Sequence, residues 1–190
     1  FERLGEQLEV ITGLWSTPEG ATFDHEGRHY RLASSPALPK PVQAHPVSGG
    51  PPIIVGGHGP KRTPRLAARH GAEYNIAFPQ LVDVRTQFDR VRAACDVIGR
   101  DPATLVWSVA LVVCCGADEV EVARRASAIG RQVPELRENG LAGSPDEVLE
   151  RLGAFRDAGA QRVYLQVLDL ADLDHLRLVA AEVLAHVGAP

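Results

Sequence analysis

Residues 53–190 repeat one pattern, in which a short apolar segment is followed by an amphipathic helical segment. The apolar segments are rich in β-branched residues and predict four strands, Ile53–Val55, Tyr74–Phe78, Leu105–Cys115 and Arg162–Leu168. Strands that alternate with helices form parallel β-α units, and each crossover should be right-handed. Segments as apolar as Ile53–Val55 also fit a sheet that is covered on both faces. The pattern therefore predicts an α/β fold with four parallel strand–helix units.

The helical segments between these strands carry start and stop signals. Thr63 followed by Pro64 predicts a capped helix start, and Gly71 predicts the end of that helix. Asp118 predicts the cap of a later helix, and Ser144-Pro145-Asp146-Glu147 predicts a capping box. The apolar residues expected on the buried helix faces are Val84, Phe88, Val91, Cys95, Ile98, Val148, Leu152 and Phe155.

Residues 1–52 precede the repeated pattern. Residues 1–15 predict a helix because apolar residues recur on one face, at Leu4, Leu8, Ile11 and Trp15. Residues 16–52 form a Pro-rich insertion that contains half of the chain's 14 prolines, so it can be neither helix nor central strand. Within it, residues 22–32 predict a small hairpin that turns at Glu26-Gly27.

The chain begins at Phe1, within the helical spacing of apolar residues, and neither a methionine nor a capping residue precedes it. We therefore expect residues 1–190 to form a single partial domain of a longer protein, with residues 53–190 supplying the four β-α units. A turn around Pro134 and a final helix from Leu173 to Val187 complete this prediction. Four units make either an open sheet or half of a (β/α)8 barrel, which needs about 250 residues. The missing start favours the half barrel.

Composition narrows the classes of function. A net charge of −4 without a basic stripe gives no electrostatic reason to expect nucleic acid. The longest apolar run, Val109–Cys115, is too short to span a bilayer, and no signal pattern opens the chain. Cys95, Cys114 and Cys115 have no metal-ligand spacing and predict buried, reduced thiols. We expect a cytoplasmic protein without a metal site.

The strongest local signal is residues 55–63, which read Val-Gly-Gly-His-Gly-Pro-Lys-Arg-Thr between a strand and a helix. The amides of Gly57, His58 and Gly59 are expected near the helix N-terminus, where the helix dipole favours an anion. Lys61 and Arg62 add positive charge. The segment is neither a Walker A loop nor the dinucleotide fingerprint, which requires a third glycine at Arg62. It predicts a phosphate site or, alternatively, only a tight turn.

Several short motifs follow one another along nearly all 190 residues, and their order is more specific than any one of them. They are Phe1-Glu2-Arg3-Leu4, Leu8-Glu9-Val10-Ile11, Leu14-Trp15, Phe23, Gly27, Tyr30, Pro39-Lys40-Pro41-Val42-Gln43, Pro52-Ile53-Ile54-Val55-Gly56-Gly57, Gly143-Ser144-Pro145-Asp146-Glu147-Val148 and Ala158-Gly159. Their order resembles the luciferase-like monooxygenase superfamily, and within it the branch that uses the deazaflavin coenzyme F-420.

The resemblance implies a luciferase-like TIM barrel, of which this chain supplies strands five to eight, the C-terminal half. It implies an oxidoreductase that transfers hydride between coenzyme F-420 and a small organic substrate that the sequence does not identify. In such enzymes the Gly-Gly loop after the fifth strand holds the cofactor phosphate, and the cofactor performs the redox chemistry. The residues expected to contact the cofactor are Gly56, Gly57, His58, Gly59, Arg62, Thr63, Asn75 and Phe78.

Two alternatives stay open. An FMN-dependent monooxygenase of the same superfamily presents a phosphate to the same loop, and a non-enzymatic α/β module could bind a phosphate ligand there. In the resembled family, proton-handling residues come largely from the first strands, so no catalytic residue is assigned here. We expect the chain alone to be inactive and to self-associate as a homo-oligomer, a dimer, because a half barrel leaves strand edges and apolar surface exposed.

Several further residues carry weaker signals. Relatives often place a hydroxyl at the end of the second strand, where this chain has Ala77 and Phe78, so phosphate contacts there are expected to be weaker or to be supplied by other residues. Gln166 and Asp169 fall at the C-terminal end of the fourth strand, where barrel active sites gather. His58 contacts the phosphate or is solvated, and Trp107 is expected in the core. The histidines expected at the surface are His25, His29, His45, His175 and His186.

Overall fold

A computed structural model describes residues 1–187, which form two compact units. The first unit comprises residues 1–75 and 89–106, and the second comprises residues 76–88 and 107–187. Two strands and one long helix each run from one unit into the other. That residues 1–190 form a single partial domain stays a prediction.

The first unit begins with helix α1 (Glu2–Ser16), which contacts the first strand of an antiparallel hairpin. The unit's further elements are β1 (Phe23–Glu26), β2 (Arg31–Ser35), β3 (Ile54–Gly56), α2 (Arg62–His70), β4 (Glu73–Ala77) up to Asn75, and α3 (Leu81–Val97) from Asp89. Strands β3 and β4 pair in parallel, with Val55 opposite Tyr74 and Gly56 opposite Asn75. The predicted first helix, hairpin and β-α-β order are confirmed.

The carboxylate of Glu6 on α1 holds the hairpin turn. It accepts hydrogen bonds from the backbone N–H groups of His29 at 2.9 Å and Tyr30 at 2.6 Å. The Nε2 atom of His25 lies 3.4 Å from the same carboxylate, and the His25 side chain is only 15% exposed. The prediction that His25 lies at the surface is therefore wrong, because Glu6 gives its ring a partner. His45 is half-buried, whereas His29 is exposed as predicted.

The second unit contains the end of β4, the start of α3 and the rest of the chain. Its further elements are β5 (Val106–Cys115) from Trp107, α4 (Glu119–Ala128), α5 (Val133–Asn139), β6 (Leu141–Gly143), α6 (Pro145–Asp157), β7 (Arg162–Gln166) and α7 (Leu173–Leu178). Strand β5 pairs in parallel with both β6 and β7. One cluster in the core of the second unit groups six buried side chains, Val112, Cys114, Val122, Ala126, Leu136 and Ala142.

The structure has one parallel strand more than the sequence predicted. Where a turn was expected around Pro134, the chain forms helix α5 and then β6, whose three residues pair with residues 113–115. The turn prediction is wrong because Pro134 lies in the first turn of a helix, where its missing N–H costs nothing. Strand β6 was missed because three residues are too few to show a periodicity.

Two of the three predicted caps are confirmed. The Asp118 side chain accepts a 2.8 Å hydrogen bond from the Glu121 N–H, and Ser144 forms a complete capping box with Glu147. The predicted Thr63 cap is wrong, because α2 already begins at Arg62 and Thr63 lies buried within its first turn. Helix α2 ends at His70, and Gly71 follows as its C-cap, as predicted.

Burial follows the predicted helix faces with some exceptions. Val84, Phe88, Val91, Cys95, Val148 and Phe155 are buried as predicted, as are Cys114, Cys115 and Trp107. Leu152 is only half-buried, and Ile98 is 54% exposed because α3 ends before it. Strand β3 was predicted to be covered on both faces. That prediction is wrong, since Ile54 is 52% exposed.

The predicted final helix changes its geometry along its length. It is α-helical over Leu173–Leu178, a π-helix over Val179–Val183 and a 3₁₀ turn over Leu184–His186. His186 is exposed as predicted. His175 is only 4% exposed, so its predicted surface position is wrong.

Candidate functional site

The loop between β3 and α2 has the tight geometry that its glycines predict. Gly57 has a φ of 134°, a backbone conformation that residues other than glycine rarely adopt. A Cβ placed on Gly57 would lie 3.4 Å from the Thr63 hydroxyl, and one on Gly59 would lie 3.0 Å from it. The loop therefore folds over Thr63, whose hydroxyl faces both glycines.

Only part of the predicted amide cluster can serve a ligand. The Gly57 N–H donates a 3.2 Å hydrogen bond to the backbone carbonyl of Asn75, which extends the pairing of β3 with β4. The prediction of three converging ligand amides is therefore wrong for Gly57, whose amide the sheet already uses. Asn75 contacts Gly57 through its backbone carbonyl, and its expected contact with the cofactor stays a prediction.

Tyr74 supports the loop from the neighbouring strand and was missed by the sequence analysis. Its hydroxyl donates a 2.7 Å hydrogen bond to the Gly57 carbonyl oxygen, and the residue is fully buried. This burial raises the pKa of Tyr74 to about 12, so the hydroxyl keeps its proton at neutral pH. Only the presence of a tyrosine in a predicted strand hinted at such a role, since a buried Tyr hydroxyl usually finds a partner.

The start of α2 offers donors for an anion. Its first helical hydrogen bond runs from the Arg65 N–H to the Lys61 carbonyl at 3.3 Å, and Pro64 has no N–H. The amides of Arg62 and Thr63 are therefore those that have no partner within the helix, at the positive end of its dipole. The Lys61 and Arg62 side chains are both exposed beside this end. Four predicted residues, Gly57, Gly59, Arg62 and Thr63, meet here.

The remaining predicted residues have separate positions. His58 is exposed in the loop, and the Arg62 guanidinium carbon lies 5.4 Å above the ring of Phe1. Phe78 lies in the second unit and follows β4 instead of belonging to it, so the strand end predicted there is wrong. Its φ of 53° lies in the left-handed region, and its N–H donates a 2.8 Å hydrogen bond to the Ala110 carbonyl.

Phe78 lines a pocket of about 420 Å³ within the second unit. The other lining residues are Val112, Arg131, Glu135, Leu136, Asn139, Gln166 and Leu168. We call this cavity the Gln166 pocket. Gln166 therefore lies at an accessible cavity, whereas Asp169 lines a different, much smaller one beside His175.

A buried polar cluster in the second unit was also missed by the sequence analysis. Arg125 on α4, only 4% exposed, donates to Asp172 at 3.0 Å and to the Cys115 carbonyl at 2.7 Å. The Cys115 N–H donates a 3.0 Å hydrogen bond to Nε2 of His175. Burial lowers the pKa of His175 and raises that of Cys115 to about 11. These groups join α4, β5 and α7, and their burial points to a structural role.

Neither a membrane span nor a metal site occurs in the described part of the chain. None of the helices within residues 1–187 is long and apolar enough to cross a membrane. Nor do the His, Cys, Asp and Glu side chains of these residues form a group of three or more that could hold a metal ion.

Comparison with known proteins gives consistent matches. The model of one protein family, described as luciferase-like monooxygenase, matches residues 1–138. The chain is 29% identical over 119 residues to a component of the pristinamycin IIA synthase of Streptomyces pristinaespiralis, a match covering 62% of this chain and 26% of that protein. It is 27% identical over 168 residues to a phthiodiolone/phenolphthiodiolone dimycocerosates ketoreductase of Mycobacterium kansasii, covering 88% of this chain and 44% of that protein.

Solved structures show the same fold. An F-420-dependent secondary alcohol dehydrogenase matches with a TM-score of 0.79 at 13% identity, covering 96% of this chain and 61% of that one. The oxygenating constituent of 3,6-diketocamphane monooxygenase from Pseudomonas putida, in complex with FMN, matches with a TM-score of 0.66 at 20% identity, covering 97% and 63%. The predicted luciferase-like α/β fold is confirmed, and the chain spans about 60% of the length of these structures.

Proposed function

The chain belongs to the luciferase-like monooxygenase family, and we propose that it holds the cofactor phosphate of an oxidoreductase that uses coenzyme F-420. The enzyme would transfer hydride between this deazaflavin and a small organic substrate. The observation that carries the proposal is the loop of residues 56–63, which folds over the Thr63 hydroxyl and ends at the start of α2.

The loop fits a phosphate without help from the Gly57 amide. The Arg62 and Thr63 amides and the Thr63 hydroxyl supply neutral donors, and the Lys61 and Arg62 side chains supply charge. A side chain at position 57 or 59 would approach Thr63, so glycine keeps this cradle open. Gly56 and Asn75 act through the paired backbone of β3 and β4, which fixes the loop.

The first unit carries the phosphate contacts in this proposal. The cofactor supplies the redox chemistry when bound. The residues of the first unit bind its phosphate and orient it. The names of the dehydrogenase and the ketoreductase support a carbonyl or alcohol substrate.

An FMN-dependent monooxygenase is the second candidate, supported by the FMN complex of the camphane enzyme. Fluorescence titration of the purified protein separates the two cofactors. We expect F-420 to bind saturably and at least tenfold more tightly than FMN. Tighter FMN binding would favour the monooxygenase, and a protein that binds inorganic phosphate but neither cofactor would favour a non-enzymatic module.

Activity, assembly and location belong to the same proposal. We propose that turnover needs more than these 190 residues, which is supported by their covering only about 60% of the compared structures. The complete enzyme would be a cytoplasmic homodimer. Spectrophotometric reduction of F-420 by the 190-residue chain alone would refute the first point, and a monodisperse monomer in light scattering would refute the dimer.

A further inference from the structure

The Gln166 pocket has the size and composition of a small-molecule site. Its volume of about 420 Å³ lies within the range of roughly 300–1,000 Å³ that is typical of ligand pockets. It lies beside the paired residues Val112 and Gln166 of β5 and β7, next to helix α5. All of its lining residues belong to the second unit, so its geometry rests on that unit alone.

The walls of the pocket are mainly apolar. Leu136 and Val112 are buried behind it, whereas Phe78 and Leu168 are 47% and 42% exposed. Two large apolar side chains thus keep much of their surface in contact with solvent at one cavity. Contact with an apolar ligand would remove this surface from water, which stabilises a complex.

The backbone of Phe78 is strained. Its φ of 53° is unusual for a bulky side chain. The hydrogen bond from its N–H to the Ala110 carbonyl fixes this conformation. A strained residue that presents an exposed ring to a pocket is expected where ligand contact compensates for the strain.

The pocket is electrically balanced. Arg131 and Glu135 form a bidentate ion pair beside it, with the Arg131 Nε donating to Glu135 at 2.9 Å. The hydrogen bond from Arg131 lowers the pKa of Glu135, so the pair stays charged and its charges cancel. The side-chain amides of Asn139 and Gln166 add neutral donors and acceptors.

We propose that the Gln166 pocket binds an uncharged, largely apolar organic molecule with one carbonyl or hydroxyl oxygen, which the Gln166 amide recognises. The Phe78 ring and Leu168 contact its apolar body. The cancelled ion pair gives no attraction to a carboxylate or an ammonium group. For the role of this molecule as the substrate, the inference rests on the proposed function.

Acetophenone, which combines a ring with a ketone, tests the proposal against benzoate, an anion of similar size. The measurement is titration of the purified, ¹⁵N-labelled protein, followed by the shifts of the Asn139 and Gln166 side-chain amide signals. We expect saturable acetophenone binding that is at least tenfold tighter than benzoate binding. Gln166→Leu, which keeps the volume but loses the amide, should weaken acetophenone binding at least fivefold.

Phe78→Gly removes the ring and the strain together, so it should weaken acetophenone binding while the protein remains folded. Tyr164→Leu is the matched control, because Tyr164 is exposed on the same strand as Gln166 but does not line the pocket. It should leave the affinity within twofold. Equal binding of benzoate, or unchanged acetophenone binding in Gln166→Leu, overturns the proposal.

The F-420 titration keeps this test separate from the proposed function. Gly57→Val should weaken F-420 binding but leave acetophenone binding unchanged. If F-420 binds as proposed and acetophenone does not, the pocket assignment fails and the cofactor assignment stands. If acetophenone binds and F-420 does not, the proposed function fails and the pocket remains a binding site for uncharged molecules.

Discussion

The hydroxyl of Tyr74 donates a 2.7 Å hydrogen bond to the carbonyl oxygen of Gly57, from within the core of the first unit. On the other side of that residue, the Gly57 N–H donates to the Asn75 carbonyl. The peptide groups around Gly57 are therefore held by β4 on both sides. This leaves the amides farther along the loop available to a ligand, and makes Tyr74 a positioning residue for the loop of residues 56–63.

Tyr74→Phe should make the loop of residues 56–63 less rigid without leaving a cavity in the core. The change leaves the Gly57 carbonyl without its buried donor, which costs about 1–3 kcal/mol of unfolding free energy. We expect F-420 affinity to fall about threefold to tenfold as well, because the loop is no longer fixed. Urea unfolding and fluorescence titration measure the two effects.

Tyr30→Phe is the matched control for this change. The Tyr30 hydroxyl accepts a 3.2 Å hydrogen bond from Arg3 at an exposed site, so its loss should alter neither quantity measurably. A Tyr74→Phe protein that loses stability but binds F-420 with unchanged affinity would show that Tyr74 supports the fold alone.

Arg125→Met should strongly destabilise the second unit. The substitution removes the buried guanidinium that pairs with the Asp172 carboxylate at 3.0 Å, and leaves that carboxylate only the exposed Arg124 guanidinium at 3.1 Å. Removing one partner of a buried pair typically costs about 3–5 kcal/mol. Arg124→Met is the control, because Arg124 pairs with the same Asp172 carboxylate at 3.1 Å but is 56% exposed, so its loss should cost less than about 1 kcal/mol. Equal losses for the two variants in urea unfolding would refute a buried ion pair.

His175 should make the stability of the second unit depend on pH. Burial first, and then Arg125, lower its pKa, while Asp172, Glu121 and Asp169 act in the opposite direction. Below the unfolded pKa of about 6.5 the unfolded chain therefore binds the proton more readily, so stability falls as pH falls below that value. The Arg125 hydrogen bond also lowers the pKa of Asp172, whose contribution is lost at still lower pH.

His175→Gln tests this pH dependence. The Gln side chain offers an oxygen acceptor to the Cys115 N–H but does not titrate. Thermal unfolding at pH 7.5 and pH 5.5 should show a clear loss of stability for the wild-type protein and a much smaller one for the variant. An identical loss in both proteins would place the titrating group elsewhere.

The sequence predicted features that depend on local chemistry. Asp118 and Ser144 cap their helices as expected, because a cap depends on residues within one turn. Gly57 adopts the positive φ that only its lack of a side chain permits without strain. The strand–helix order also followed from periodicity, since each long element carries its own apolar pattern.

Features that depend on distant partners were not predictable. The burial of His175 requires the Cys115 N–H, which lies 60 residues away in sequence. Likewise, the Gly57 amide was expected to face a ligand, but it pairs with Asn75 through a sheet contact that a local motif does not show. Tyr74 reaches the loop of residues 56–63, and Arg131 reaches the Gln166 pocket, through tertiary contacts that no local motif indicates.

The most direct test of the cofactor assignment is the affinity of Gly57→Val for F-420, measured by fluorescence titration of the purified protein. A β-branched residue cannot adopt the φ of 134° without strain, and its side chain would approach Thr63. Gly20→Val is the matched control, because Gly20 has a φ of 83° but nothing lies within 4 Å of the position that a Cβ would take there. We expect Gly57→Val to weaken F-420 binding at least tenfold, about 1.4 kcal/mol, and Gly20→Val to leave it unchanged. Unchanged F-420 affinity in a folded Gly57→Val protein would contradict the assignment and show that residues 56–63 form only a turn.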